Sequence, residues 1–405
     1  MLMRTLMLKE LPLRCCAAHW LVVAAALLLV PAAQAQVFQT LAPNAILYDA
    51  DSQSVLFEKG ADDLTAPASM VKIMTALVVF EELAQGRLKL EDEMVVSENA
   101  WRRGGAVSGG STMFALPNSR IKVSDLLSGL LVHSGNDAAI ALAEGIAGSE
   151  ENFVRLMNER AAKIGLKRSQ FRNVMGFGHP EQRVTMRDMA LLAHHVIVTY
   201  PEQYRLFGQR EFTWNRVRQQ NRNPLLGMDI GADGLKTGNI EEAGFGLVGS
   251  AVQNGQRLIV VVNGLKTARD RGQEARKLLE WGFRSFEPRD LFAAGEVVGE
   301  VSVFGGERAV LPVSVKGAVR LLVPKGASDR MRGRIVYNGP VMAPVASGSE
   351  IGRLRIERGE TKALDVPVYA AEAMATGPLG KRAMDSAIEL STGWFRKALS
   401  RQPQP

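Results

Sequence analysis

"GFGLVGSAV" (residues 244–252) and "QRLIVVVNGL" (256–265) are two apolar runs separated by Gln253 and the dipeptide Asn254-Gly255. Asn-Gly between such runs specifies a tight hairpin, because both residues tolerate the positive φ of a two-residue turn. "ADGLKTG" (232–238) supplies a third strand just before them. "AILYDADSQSVLFEKG" (45–60) reads as another hairpin, two short apolar runs around a polar turn. Between these ends the pattern is mostly helical from about 67 to 207: 69–85, 123–135, 137–148, 150–165 and 185–200. The last of these opens with Thr185 and Asp188, a capping-box-like start. Strands at both ends with helices between imply an antiparallel sheet whose N- and C-terminal strands meet, with helices packed on it. This is an α/β (α+β) fold.

"RKLLEWGFRSFEP" (276–288) predicts a closing helix that ends near Pro288. Beyond it, short β-type runs such as "RAVLPVSV", "AVRLLVPKG" and "EIGRLRIERG" alternate with Gly and Pro, which marks a second, all-β domain over 289–376. The tail, 377–405, changes character again. Leu379, Ala383, Met384, Ala387, Ile388, Trp394, Phe395 and Leu399 fall along one helical face, with Lys381, Arg382, Arg396 and Lys397 off it. A basic amphipathic helix with Trp and Phe on its apolar side predicts an anchor at a membrane surface, the alternative being a terminal helix packed on its own domain.

The chain has 405 residues and a net charge of +7. Residues 1–35 read as a secretory signal: Arg4, Lys9 and Arg14, then "WLVVAAALLLVPAA", then the small-residue site "AQA". An uncleaved anchor is the alternative. Both cysteines, Cys15 and Cys16, lie inside that signal, so the chain after it has no disulfide, thiol nucleophile or cysteine metal site. The signal accounts for +2 of the charge (Arg4, Lys9 and Arg14 against Glu10), which leaves +5 spread along the rest. That is compatible with an anionic wall or membrane and does not point to nucleic acid. His194-His195 cannot form an i,i+4 ligand pair, and no metal or other cofactor is expected.

Three short motifs carry the chemistry. "APASMVKIMTAL" (66–77) places Ser69 three residues before Lys72, Ser134-Gly135-Asn136 breaks two helical patterns, and Lys236-Thr237-Gly238 ends a strand run. Each alone is a turn or cap signal; the order S-x-x-K, S-G-N, K-T-G is far more specific. The set resembles that of the active-site serine penicillin-recognising enzymes. "HSGNDAAIALAEGIAGSEENFVRLMNERAAKIGL" (133–166) and "DGLKTGNIEEAGFGLVGSA" (233–251) extend the resemblance to the low-molecular-mass penicillin-binding proteins that are serine-type D-alanyl-D-alanine carboxypeptidases. The β-rich region and amphipathic tail resemble that family too, with 36–288 as the catalytic domain.

The resemblance implies that Ser69 is the acylated nucleophile, Lys72 its general base and Ser134 a proton relay. Physics agrees: serine needs a base within reach, and i and i+3 share a helical face. Lysine is a base only when neutral, a state that burial, the helix N-terminus and Lys236 all favour. Asn136 would hold the substrate amide, Lys236 and Thr237 would hold a carboxylate or its neighbours at the end of the cleft, and Gly238 would let the ligand lie close to the backbone. Arg222, in "QNRNPLL", matches the family's second carboxylate-binding cation. The backbone N–H groups of Ser69 and Asn239 would form the oxyanion hole; Asn239 departs from residues often seen after K-T-G. "NAWRRGGAVSGGSTMF" (99–114) resembles the loop at the mouth of the site, or is only a mobile surface loop. His133, beside Ser134, could suggest a Ser–His pair, but adjacent residues do not share a face.

The expected activity is removal of the terminal D-alanine from peptidoglycan stem peptides, with β-lactams acylating the same serine. The expected location is the periplasm, on the outer face of the inner membrane. D,D-endopeptidase action on cross-links, a β-lactamase, and an idle wall-binding module are the alternatives. Class A β-lactamases add a glutamate, and "KRSQFRNVMGFG" (167–178) has no acidic residue.

Overall fold

The N-terminal hairpin forms from strands β1 (Asn44–Asp49) and β2 (Val55–Lys59). The computed structural model describes residues 38–326, 331–358 and 361–386. The expected signal, and the tail beyond 386 with Trp394 and Phe395, lie outside the described residues. Two small antiparallel pairs occur that the sequence did not announce: β3 (Glu93–Val95) with β4 (Arg120–Lys122), and β5 (Glu211–Trp214) with β6 (Val217–Gln220). The second pair turns through Asn215 and Arg216, both at positive φ, without the glycine that flags such a turn.

Strands β7 (Ala232–Ile240), β8 (Gly244–Gln253) and β9 (Gln256–Leu265) complete the main sheet, in the order β2-β1-β9-β8-β7. All its pairings are antiparallel. Asn254 (φ 50°) and Gly255 (φ 77°) make the tight turn between β8 and β9. The two ends of the domain meet where β1 pairs with β9, from Asn44 opposite Asn263 to Asp49 opposite Leu258.

The helices are α1 (Lys72–Ala84), α2 (Glu98–Gly104), α3 (Val123–Val132), α4 (Asn136–Ala147), α5 (Glu150–Ile164), α6 (Met186–Thr199) and α7 (Ala268–Ser285). Every residue of α1 from Lys72 to Phe80 is buried, the signature of a helix surrounded by core on all sides. Ser69 does not lie in α1 but in a 3-10 turn, Ala68–Val71, that runs straight into it. Thr185 caps α6 by accepting from Asp188 N. The box is only half formed, because the Asp188 carboxylate accepts instead from Arg168 N and Ser169 Oγ.

The closing helix α7 starts earlier than expected and stops at Ser285. Strand β10 (Phe286–Phe292) begins at once and pairs with β13 (Val319–Pro324), so Pro288 sits inside a strand, opposite Leu322. The remaining strands, β11 (Val297–Phe304), β12 (Val310–Ser314), β14 (Met331–Tyr337), β15 (Val341–Met342), β16 (Glu350–Arg358) and β17 (Thr361–Ala370), form one sheet in the order β14-β16-β17-β12-β11-β15. Val301, Leu311, Val313, Leu321, Val323 and Val368 fill a core of their own. The chain is thus a mixed α/β domain on an antiparallel sheet, followed by a smaller β-rich region.

Helix returns at residues 379–386. Asp385 Oδ2 accepts from Gly305 N at 3.0 Å and ties this start to the β11–β12 turn. Leu379 and Met384 remain 80% and 61% exposed.

Candidate active site

The 3-10 turn and α1 together bring Lys72 Nζ to 3.0 Å from Ser69 Oγ. Two further oxygens surround the same nitrogen: Asn136 Oδ1 at 2.7 Å and the carbonyl of Met175 at 2.5 Å. Lys72 is fully buried. Desolvation, then the positive charges of Lys236 and Arg222, hold its pKa well below that of a free lysine, with Asp137 pulling the other way.

Ser134 and Asn136 enter from the break between α3 and α4. Ser134 has φ 69°, a conformation unusual for a residue with a side chain, as does Ala68 (φ 47°) just before Ser69. Strain of this kind concentrates at functional sites. The Ser134 hydroxyl is buried and has no hydrogen-bond partner, which leaves it free to serve a bound ligand. Asn136 N donates to Ser111 O at 2.8 Å, which draws the Gly-rich loop against the site.

Ser69, Gly109, Gly110, Ser111, Ser134, Arg222, Thr237, Gly238, Asn239, Phe245, Ala268 and Arg271 line one cleft of about 530 Å³. The Gly-rich loop is therefore a wall of the site. A Cβ at Gly110 would lie 2.9 Å from Asn136 Nδ2, so glycine there keeps the Asn136 amide open. Gly238 has a use the sequence did not suggest: an added Cβ would lie 2.9 Å from Pro67 O, so glycine lets β7 press against the turn that carries Ser69.

The far end of the cleft is cationic. Lys236 is buried, its amine within 3.3 Å of Thr237 O, and burial with Arg222 and Arg271 nearby pushes its pKa down to about 7. Arg222 donates from Nη1 to Ser111 Oγ at 2.7 Å, and its Nη2 meets His133 Nε2 at 3.1 Å. All the expected site residues thus gather around this cleft, either lining it or buried among the groups that do.

Three participants were not foreseen. Arg271, on α7, lines the cleft with a buried, unpartnered Nε, and burial pushes its pKa down to about 10. In sequence it is one arginine among several on an amphipathic helix. Asp137, fully buried, accepts from Thr112 Oγ1, Met113 N and Ala115 N and so fixes the Gly-rich loop. Its position directly after S-G-N was the available clue. Met175 contributes only its carbonyl, to which any side chain is silent. Gly176 (φ 95°) lets that segment pass over the Ser69 turn, since a Cβ there would lie 2.1 Å from Ala68 O.

Comparison with known proteins places the chain in one family. The family described as D-alanyl-D-alanine carboxypeptidase matches residues 31–267, and the penicillin-binding protein 5 C-terminal domain matches 286–376. D-alanyl-D-alanine carboxypeptidase DacC of Escherichia coli is 38% identical over 353 residues, 86% of this chain and 88% of its own. DacA of Escherichia coli is 34% identical over 357 residues, covering 87% of this chain and 89% of its own. Among solved structures, penicillin binding protein 5 from Haemophilus influenzae superposes with a TM-score of 0.74 at 34% identity, over 84% of this chain and 98% of that one.

Proposed function

Since the chain belongs to the D-alanyl-D-alanine carboxypeptidase family, we propose that it removes the terminal D-alanine of peptidoglycan stem pentapeptides through an acyl-enzyme on Ser69. It is a serine-type peptidase, and the observation that carries the residue roles is the set of oxygens around Lys72. Asn136 Oδ1 and Met175 O lie at 2.7 and 2.5 Å, and as carbonyl oxygens they can only accept. A neutral amine has two hydrogens for these two oxygens, which leaves its lone pair toward Ser69 Oγ. That is the form in which it can take the serine proton.

In the acylation half, the Ser69 hydroxyl gives its proton to Lys72 as Oγ bonds to the penultimate D-Ala carbonyl carbon. The C–N bond then breaks, and the departing D-Ala nitrogen receives a proton through Ser134. In the second half a water loses its proton to Lys72 and adds to the ester carbon; the bond to Oγ breaks and Oγ regains a proton. The backbone N–H groups of Ser69 and Asn239 hold the developing oxyanion, and Asn136 Nδ2 holds the substrate amide. Lys236, Thr237, Arg222 and Arg271 receive the free carboxylate. That concentration of cations favours a leaving residue with a free carboxylate, which a terminal D-Ala presents. Near Lys72 the 173–177 segment offers a carbonyl, not the carboxylate of a class A β-lactamase.

β-Lactams acylate the same serine in this reading. The N-terminal signal delivers the enzyme to the periplasm, and the tail that begins with exposed Leu379 and Met384 lays it on the outer face of the cytoplasmic membrane. The central test is mass spectrometry after exposure to labelled penicillin. One acyl group should appear on the peptide containing Ser69, vanish in Ser69→Ala, and form orders of magnitude more slowly in Lys72→Arg, whose guanidinium stays protonated. Labelling that survives Ser69→Ala would overturn the assignment.

A further inference from the structure

We propose that His133, by accepting a hydrogen bond from Arg222, is a positioning residue that sets the preference of the site for substrates with a free terminal carboxylate. The inference rests on reading Arg222 as a carboxylate contact. Arg222 is held from two sides: Nη1 donates to Ser111 Oγ at 2.7 Å, and Nη2 lies 3.1 Å from His133 Nε2. Its backbone N–H also donates to Val132 O, the carbonyl directly before His133. Without the imidazole, the guanidinium would keep one side-chain partner, on the Gly-rich loop.

The chemistry of the pair fixes the state of the imidazole. A guanidinium has donors and no acceptor, so a bond between the two requires Nε2 to carry the lone pair. The proton then sits on Nδ1, which faces the carbonyl oxygen of Gln220, at the end of β6, at 3.5 Å. Protonation of Nε2 would set donor against donor and cation against cation, and the contact would open.

The charged groups that bear on His133 are Arg222, Lys236 on β7 and Asp137 on α4. Burial and the two cations hold the imidazole below its ordinary range, against opposing pulls from the Gln220 carbonyl and Asp137. His133 is therefore neutral near pH 7 and accepts from Arg222; under acid conditions it gains a proton and releases it. This part is not shared with Ser134: the histidine faces Arg222 and takes no part in proton transfer at Ser69.

The test compares kcat/KM on a D-Ala-D-Ala peptide with that on its C-terminal amide, across pH, in the full chain. The ratio of the two cancels Lys72, which serves both substrates. In His133→Ala the ratio should fall about three- to tenfold near neutrality, mainly through KM on the free acid, as expected for loss of one hydrogen bond. In His133→Gln the amide oxygen can still accept from Arg222 and cannot titrate, so the ratio should be restored. The wild-type ratio should pass through a maximum: it rises as pH falls through about 7, where Lys236 gains its charge, and declines at lower pH as His133 is protonated, and in His133→Gln that acid decline should be absent. Thermal midpoints check that both variants are folded. An unchanged ratio in folded His133→Ala, or the same acid decline in His133→Gln, would overturn the proposal and leave the carboxylate reading standing. A wild-type ratio near one would overturn the carboxylate reading itself, and the role of His133 with it.

Discussion

Asn136 Oδ1 lies 2.7 Å from Lys72 Nζ, with the helix-start residue reaching across 64 positions of sequence to the buried amine. A neutral amide oxygen at that point tolerates a neutral amine; a carboxylate would not. Asn136→Asp should raise the Lys72 pKa by about 1–3 units, because a charge within a few ångströms favours the ammonium. The acid limb of penicillin acylation should move to higher pH by the same amount. An unmoved limb in labelling rates measured against pH would mean that Lys72 is not the titrating base.

Lys72 also leaves a mark on stability. Its pKa is depressed in the folded chain and about 10.5 in the unfolded one. Between those two values the unfolded state binds the extra proton, so stability rises with pH and is lost as pH falls. Lys72→Met removes that dependence. The unfolding free energy of wild type minus that of Lys72→Met should therefore decrease by about 1.4 kcal/mol per unit as pH drops below about 10. A difference that stays flat in denaturant titrations from about pH 10 to 8 would place a solvated ammonium at that position.

Lys236 predicts the opposite limb. It is cationic below its pKa of about 7 and neutral above. The free-enzyme kcat/KM on free-acid peptides should fall on the alkaline side of that value, and fall much less on the peptide amide, which has no carboxylate to hold. Parallel alkaline limbs on both substrates would remove Lys236 from the carboxylate subsite.

Arg271 is tested by its unpartnered Nε. Arg271→Ala should reduce kcat/KM on the free acid roughly 10- to 150-fold, the range for a charge-assisted hydrogen bond, with a small effect on the amide. It should also raise the Lys236 pKa, since Arg271 is one of the cations that lower it. The alkaline limb would then shift upward in the same pH profile. Equal losses on both substrates would assign Arg271 a structural role.

The tail gives a physical separation. Deleting 377–405 should release a soluble enzyme that hydrolyses small peptides at the parent rate, since every cleft residue precedes 272. Replacing Trp394 and Phe395 with Ser should do most of the same, whereas high salt alone should release the parent only partly. Sedimentation of the truncated protein with membranes would place the anchor elsewhere.

The main sheet was legible because a strand pattern at each end left few ways to close it, and Asn254-Gly255 set the β8–β9 turn. The motif residues were legible as types in an order: Ser69, Lys72, Ser134, Asn136, Lys236 and Thr237 carry their chemistry in their side chains. What escaped had no side-chain signature. Met175 acts through a carbonyl, and the Asn215-Arg216 turn lacks a glycine. Pro288 reads as a helix stop, although the helix had already ended at Ser285 and the proline lies in a strand. Arg271 escaped because the sequence pattern starts the closing helix only at Arg276, which leaves Arg271 outside it, and its neighbours Arg269 and Arg276 share its type.

The pairing of β1 with β9 also sets a timetable. Asn44 finds Asn263 only after nearly the whole catalytic chain has been made, and until then the β1–β2 hairpin stands alone, a marginal structure in water. Contacts so distant in sequence form late and slowly. The K-T-G strand reaches β1 only through β8 and β9, so a growing chain that stops short of Leu265 has a serine and a lysine but no assembled cleft. If Ser69 is the residue that a β-lactam acylates, such a nascent chain offers the drug no assembled cleft until the last strand of the sheet is laid down.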